Sequence, residues 1–204
     1  MSSVSLSGRL HNTLALARRA TILAKHLAAS IPPNARVIDV GCGDGMIAEL
    51  IQAIRSDIAI QGIDVLVRPT ARVPVKAFDG STIPYPDRSF DAAMFVDVLH
   101  HTADPLVLLK EALRVANTII IKDHLRDGLL AGLTLRFMDW FGNAHHGVAL
   151  SYNYWSHAQW NATFANLGLC ARELNQSLGL YPAPASWFFE RNLHFMVKLE
   201  RPTA

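Results

Sequence analysis

Cysteine is scarce in this chain: Cys42 and Cys170 are the only two in 204 residues, with no CxxC pair and no His/Cys ligand spacing. That argues against a disulfide framework or a zinc module and fits a reduced, cytoplasmic setting. Long apolar runs are missing too. Half of the residues are hydrophobic, yet no uninterrupted stretch reaches the ~18–20 residues that crossing a bilayer takes. Charge is modest, at 18% of residues and a net +2, so a broad basic field for nucleic acid is lacking. Acids are absent altogether from residues 1–38, which hold Arg9, Arg18, Arg19, Lys25 and Arg36, whereas the remainder carries 14 bases against 17 acids. A basic, acid-free, Ser-containing start is compatible with a transit peptide, and a secretory signal is conceivable. Against secretion, charges interrupt every candidate apolar core. The plainer expectation is an amphipathic helix, with Leu10, Leu14, Ala17, Ala20, Leu23 and Leu27 at spacings of three and four.

What the chain does have is an alternation of strand and helix signals. Ile31-Pro32-Pro33-Asn34 ends the leading helix, because the prolines cannot extend it. Arg36 to Val40 predicts a strand that runs into Gly41-Cys42-Gly43-Asp44-Gly45, and Met46 to Ile54 returns to helical spacing. Further strands are predicted over Ile58 to Ile63 (closed by Asp64), Val73 to Phe78, Phe90 to Val96, and Asn117 to Lys122. Between the last two lies a helix to Val115, with Asp104 as N-cap and Pro105 at its first position. The run at Phe90 to Val96 suits a strand buried on both faces. Strands and helices alternating in this way imply a parallel sheet with right-handed crossovers.

The rhythm changes after Lys122. About thirty residues separate it from the next clear helix, Ser156 to Asn166, and they include a predicted helix near 125–140. A connection of that length in a compact domain points to a lid or binding element. Leu169 to Leu174 and His194 to Leu199 read as the closing strands. The expected organisation is one domain over 1–204: a leading helix at 1–34, a cofactor-binding core at 35–122, a lid at 123–155, and a C-terminal helix and strands at 156–204.

Chemistry gathers at the strand ends. Asp39-Val40-Gly41-Cys42-Gly43-Asp44-Gly45 joins a strand to a helix, where glycine permits a sharp turn and lets a ligand lie against bare backbone. The following helix offers unpaired N–H groups to an anionic group. Asp64, 21 residues after Gly43, is placed to accept ribose hydroxyls, as in the dinucleotide-binding fold. A nicotinamide-dependent oxidoreductase is therefore an alternative, although its fingerprint wants a third Gly or Ala where this chain has Met46.

Further on come Asp79-Gly80, then Ile83-Pro84-Tyr85-Pro86-Asp87-Arg88-Ser89-Phe90-Asp91, then Val98-Leu99-His100-His101. With the glycine turn and Asp64, this order over roughly 35–122 resembles the small-molecule class I S-adenosylmethionine-dependent methyltransferases. The resemblance implies an α/β, doubly wound, Rossmann-like sheet of seven mostly parallel strands, with helices on both faces, a lid insert after the fifth strand and a terminal hairpin. It implies S-adenosylmethionine as cofactor, with Gly41, Cys42 and Gly43 along its methionine end and Asp39 facing the ammonium. Asp64, Val65 and Leu66 would hold ribose and flank adenine, Asp79 beside Gly80 would accept the adenine amino group, and the backbone near Val96 would face the sulfonium. A turn carboxylate is the competing reading for Asp79, and Asp91 is expected to order its own turn.

The expected reaction is methyl transfer to a small, partly apolar acceptor under the lid; a non-catalytic cofactor-binding scaffold is the other alternative. Histidine titrates near neutral pH and suits a general base. His124, after the fifth strand, is the first candidate and His101 the second. Asp123, Asn143, His145, His146, Tyr152 and Tyr154 are candidates to line the acceptor site. Trp140 and Trp155 are expected in the lid's own core. No metal is expected: the histidines near Asp97, Asp123 and Asp139 lack a compact ligand spacing.

Overall fold

The computed structural model describes residues 6–143 and 151–202, with side chains described from residue 17 and not at 142 and 143. Helix α1 (Leu6–Ser30) leads into strand β1 (Arg36–Val40), helix α2 (Met46–Ile54) and strands β2 (Ala59–Asp64) and β3 (Val75–Ala77). Strand β4 (Phe90–Val96), a short 3-10 turn at Leu99–His101, helix α3 (Pro105–Val115) and strand β5 (Ala116–His124) follow. The last part holds α4 (Ala131–Asn143), α5 (His157–Asn166), β6 (Cys170–Asn175), α6 (Ser186–Phe189) and β7 (His194–Glu200).

The seven strands form one sheet in the order β3-β2-β1-β4-β5-β7-β6. β1 to β5 run parallel, and β7 is antiparallel to both β5 and β6. Side chains alternate between the faces, as the two-residue period of a strand requires. Ile38, Val40, Ala93, Phe95, Ile119 and Ile121 pack on the face covered by α3 and α5, with Leu108, Leu109, Trp160 and Phe164. Val37, Ala92, Met94 and Ile120 pack on the other, with Leu23, Leu27, Ala48 and Ile51 of α1 and α2. Each such side chain taken fully from water is worth roughly 1.5–3 kcal/mol, which is why the apolar run Ala92–Val96 of β4 folds as an inner strand. α3 begins as predicted, Asp104 accepting the Leu106 N–H ahead of Pro105. α5 starts on a capping box between Ser156 and Gln159.

Departures from the sequence reading cluster in the second half of the chain. β5 does not stop at Lys122 but continues through Asp123 and His124, in register with β7 as far as His124↔His194. Polar residues read as the end of a strand because an unpartnered buried charge is costly; here Lys122 pairs with Asp97 and Asp123 with His100. The helix predicted near 125–140 begins only at Ala131, and α6 was not anticipated. In α1, Ala20, Leu23 and Leu27 are buried as expected, while Ala17 is exposed. Among the described residues no helix is long and apolar enough to cross a membrane.

Candidate active site

The strand order reverses direction between β1 and β4, so the carboxyl ends of these strands leave a crevice, the usual ligand position in an open α/β sheet. A cleft of about 580 Å³ lies there. Gly41 and Gly43 line it from β1, Asp64, Val65, Leu66 and Arg68 from β2, and Phe78 and Gly80 from β3. Asp97, Val98 and His101 to Ala103 close it after β4, with Leu108 of α3.

The glycine turn is built from left-handed backbone: φ is 74° at Gly41, 61° at Gly43 and 78° at Gly45. A Cβ at Gly41 would lie 2.6 Å from Val98 Cγ2, whereas one at Gly43 would meet nothing within 4 Å. Gly41 thus lets the chain pass Val98, and Gly43 leaves bare backbone facing open space. Asp64 ties the loop down: its Oδ2 accepts the Gly43 N–H at 2.8 Å and its Oδ1 the Leu66 N–H at 2.9 Å. Val65 and Leu66, 65% and 56% exposed, offer the apolar surface that a purine would cover. This cradle and its half-buried acid fit an adenosine ligand with an amino-acid tail.

Other expected cofactor residues sit differently. Cys42 does not line the cleft; its Sγ packs against Gly62, where an added Cβ would come within 2.6 Å. Burial and the nearby Asp39 push the Cys42 thiol up to about 12. Asp39 is buried inside β1, and burial with the adjacent Asp64 raises its carboxyl to about 7. Asp79 is exposed and off the cleft: its Oδ1 accepts the Ser81 and Thr82 N–H groups and the Ser81 hydroxyl, which hold it below the usual carboxylate range. Val96 stays in the sheet, paired with Lys122, and the next two residues face the cleft in its place. The N–H of Met46 at the start of α2 is taken by Asp44 at 3.1 Å.

Beneath the cleft runs a buried charged network that the sequence reading did not assemble. Asp97 accepts Lys122 Nζ and, at 2.5 Å, Arg19 Nη2 from the leading helix. Against the cost of burial, Lys122 and Arg19 hold the Asp97 carboxyl well below its ordinary value. His100 Nδ1 pairs with Asp123 Oδ1 at 2.7 Å and its Nε2 with Asp139 Oδ1 at 3.3 Å. Burial opposes charge there too, but Asp123 and Asp139 raise the His100 ring to about 10. Three cations, Arg19, Lys122 and His100, therefore offset three anions, Asp97, Asp123 and Asp139. His100 with Asp123 and His124, or with His101 and Asp139, brings ligand-type atoms within 4.8 Å of one another. The fold thus supplies the compact grouping of histidines and acids that their spacing in the sequence lacks.

The two catalytic candidates separate. His124 lies within β5, 5% exposed and outside the cleft, its ring edge-on to His100 at 4.7 Å. Burial and Lys122 lower it to about 4. His101 does line the cleft; burial and the His100 charge lower its affinity for a proton, and its Nδ1 has no hydrogen-bond partner among the described residues. Among the acceptor-site candidates, Asp123 is fully buried under His100. Tyr154 is buried with Ala131, Leu135 and Leu193, and its hydroxyl donates to Asp139 Oδ2 at 2.6 Å. Tyr152 packs beside that cluster under Arg136. Trp155 packs on Trp160, whereas Trp140, expected in a core, is 57% exposed. The Asn143 side chain, His145 and His146 lie outside the described residues. The segment 151–155 borders the cleft: Asn153 Nδ2 donates to Thr102 O and Ser151 Oγ to His101 O. Arg19, Arg68, Asp97 and Val98 were missed. For Asp97 and Val98 the available signal was their position at the carboxyl end of an inner strand.

Comparison with known proteins agrees with this geometry. The methyltransferase-domain family matches residues 13–174, most of the chain. The 27-O-demethylrifamycin SV methyltransferase of Amycolatopsis mediterranei (strain S699) is 31% identical over 110 residues, covering 47% of this chain and only 40% of that protein. Two solved structures share the fold. The S-adenosylmethionine-dependent methyltransferase of Mesorhizobium loti has a TM-score of 0.63 at 15% identity, covering 87% of this chain and 96% of its own. That of Aquifex aeolicus has 0.60 at 17%, covering 87% and 88%. With a glycine cradle, a strand-end acid and the family match running across both, the chain belongs to the class I S-adenosylmethionine-dependent methyltransferases.

Proposed function

We propose that this protein transfers a methyl group to a small, partly apolar acceptor held in the cleft where the segment 151–155 borders it, with His101 taking the acceptor's proton. The observation that carries the reading is His101 itself: a cleft-lining imidazole whose proton affinity burial and the neighbouring His100 charge lower, with one ring nitrogen unpartnered among the described residues. Bound S-adenosylmethionine supplies an already activated methyl on a sulfonium. The chain's task is then mainly placement, which can contribute up to ~7–11 kcal/mol, with a base adding about 10²–10⁴-fold. Asp64 would accept ribose hydroxyls, the bare backbone at Gly43 would admit the amino-acid tail, and Val65 and Leu66 would flank adenine. The buried pair His100–Asp123 holds the 99–103 turn in place, since Asp123 Oδ2 also accepts the Leu99 N–H.

The test is a screen of small hydroxyl and phenol acceptors with labelled S-adenosylmethionine, followed by His101→Gln. Turnover should fall about 10²-fold or more while S-adenosylhomocysteine binding holds. The acid limb of the pH–rate profile, which reports protonation of a base, should vanish. Full turnover in the variant, with its acid limb in place, would remove His101 from the chemistry.

A further inference from the structure

α4 is apolar on two opposite faces. Its inner face carries Ala131, Leu135 and Asp139, all buried against Tyr154 and His100. Its outer face presents Leu133, Phe137, Trp140 and Phe141 at spacings of three and four, with Leu129 and Leu130 just ahead of the helix. All six are more than half exposed, Leu129 at 86%. α6 continues this surface. Phe189 stacks on Phe137 with ring centroids 6.4 Å apart, Arg191 donates to Thr134 of α4 at 2.9 Å, and Trp187 and Phe188 are 70% and 61% exposed. Among the described residues, more than half of the large exposed apolar side chains fall in these two short segments. A helix that is apolar around most of its girth is stable only where something other than water covers it.

The charges around the patch choose the cover. Arg136 on α4 and Arg191 beside it flank the patch, and Arg126 lies three residues ahead of Leu129; all three are exposed, and none pairs with a carboxylate among the described residues. The two acids beside them are engaged elsewhere: Asp127 Oδ2 accepts the His157 N–H and Glu190 Oε1 the Tyr181 N–H. A twofold contact with a second copy would set this arginine-rimmed patch against itself. An anionic lipid surface meets both halves of the pattern, taking Trp, Phe and Leu at the acyl boundary and arginines at the headgroups. With 13 residues, α4 falls short of the ~20 that spanning needs and would lie in the plane of the interface.

We infer that α4 and α6 form an interfacial face that docks this protein on anionic membranes. The same helix then turns its apolar side to lipid and its Asp139 side to His100, next to the His101 edge of the cleft. Docking stands whether or not the methyl acceptor is the kind proposed above, and its test reads lipid binding alone. The full chain should float with vesicles of phosphatidylcholine and phosphatidylglycerol at roughly 7:3, weakly or not at all with phosphatidylcholine alone, and less as salt is raised. Leu133→Glu with Trp140→Glu should lower vesicle partitioning about tenfold or more. Arg126→Gln with Arg136→Gln should lower it on anionic vesicles only. Circular dichroism and S-adenosylhomocysteine binding should be unchanged in both double variants. The inference is overturned if the wild-type chain does not bind anionic vesicles, or if the glutamate variant binds them as well as wild type. It is equally overturned if light scattering shows a dimer that the glutamate pair dissociates while vesicles bind neither form; the face then belongs to a second copy.

Discussion

Asp64 does two jobs at once, holding the Gly43 and Leu66 N–H groups while one of its edges stays in the cleft. Each hydrogen bond to a charged group is worth ~1.5–3 kcal/mol, and ~1.4 kcal/mol is tenfold in affinity. Asp64→Ala should therefore weaken S-adenosylhomocysteine binding by about tenfold to a few hundredfold, with the fold intact by circular dichroism; an unchanged dissociation constant in calorimetry would make it a loop anchor alone. Gly43→Val acts by shape. Its φ of 61° disfavours any β-branched residue, and its side chain would project into the open cleft, so binding should collapse more than melting temperature falls. Asp39 gives a pH signature. Its folded carboxyl, near 7, lies above the ~3.9 of an unfolded aspartate. The folded state therefore holds the proton more tightly, and this contribution to stability is complete below ~4 and lost as pH rises through 7. Asp39→Asn cannot lose it, so its melting temperature relative to wild type should rise between pH 5 and 8.5, measured by calorimetry at roughly 0.5-unit steps. Parallel curves would show an unshifted carboxyl.

At the scale of elements, the end of β5 and the inner face of α4 are joined through His100, which bridges Asp123 on the strand and Asp139 on the helix. Tyr154 steadies the helix side by giving its hydroxyl to Asp139, and burial with that carboxylate pushes the phenol up, keeping it a donor. Tyr154→Phe removes a donor from a buried carboxylate, at a cost of ~1–3 kcal/mol. For a chain of this size that is about 2–4 °C in melting temperature for each kcal/mol. S-adenosylhomocysteine affinity should barely change, because Tyr154 does not line the cleft. A loss of cofactor affinity without a change in melting would instead place the phenol at the ligand.

For the whole molecule, every cleft-lining segment hangs from the ends of the parallel strands, so ligand binding and global stability are linked. At S-adenosylhomocysteine concentrations near 100 times its dissociation constant, the folded state gains ~2.7 kcal/mol, or roughly 5–10 °C in a thermal scan. NAD under the same conditions should shift nothing, and a larger shift with NAD would overturn the cofactor.

The sequence by itself determined the parallel core and its ligand loop. The extents of β1, β4 and α3, the glycine turn and the strand-end Asp64 were legible because each is local: a two-residue or 3.6-residue apolar period, an N-cap before proline, glycines where φ must be positive. Only the tertiary structure decided what the polar residues of 97–124 do. Lys122, Asp123 and His124 looked like the end of a strand and the start of a lid, because a sequence shows charges without the partners that let them be buried. Arg19, far away in the chain, and His100 complete that pairing in space, and the pairing draws His124 into the sheet while leaving His101 at the cleft. Asp79, expected at the adenine amino group with a turn carboxylate as the competing reading, orders its own turn through Oδ1, a choice that an Asp-Gly pair leaves open until the loop's path is known. The same limit applies to Trp140. Aromatic content predicted burial, but which side of α4 faces the core depends on where Tyr154 and Leu193 arrive from the rest of the chain.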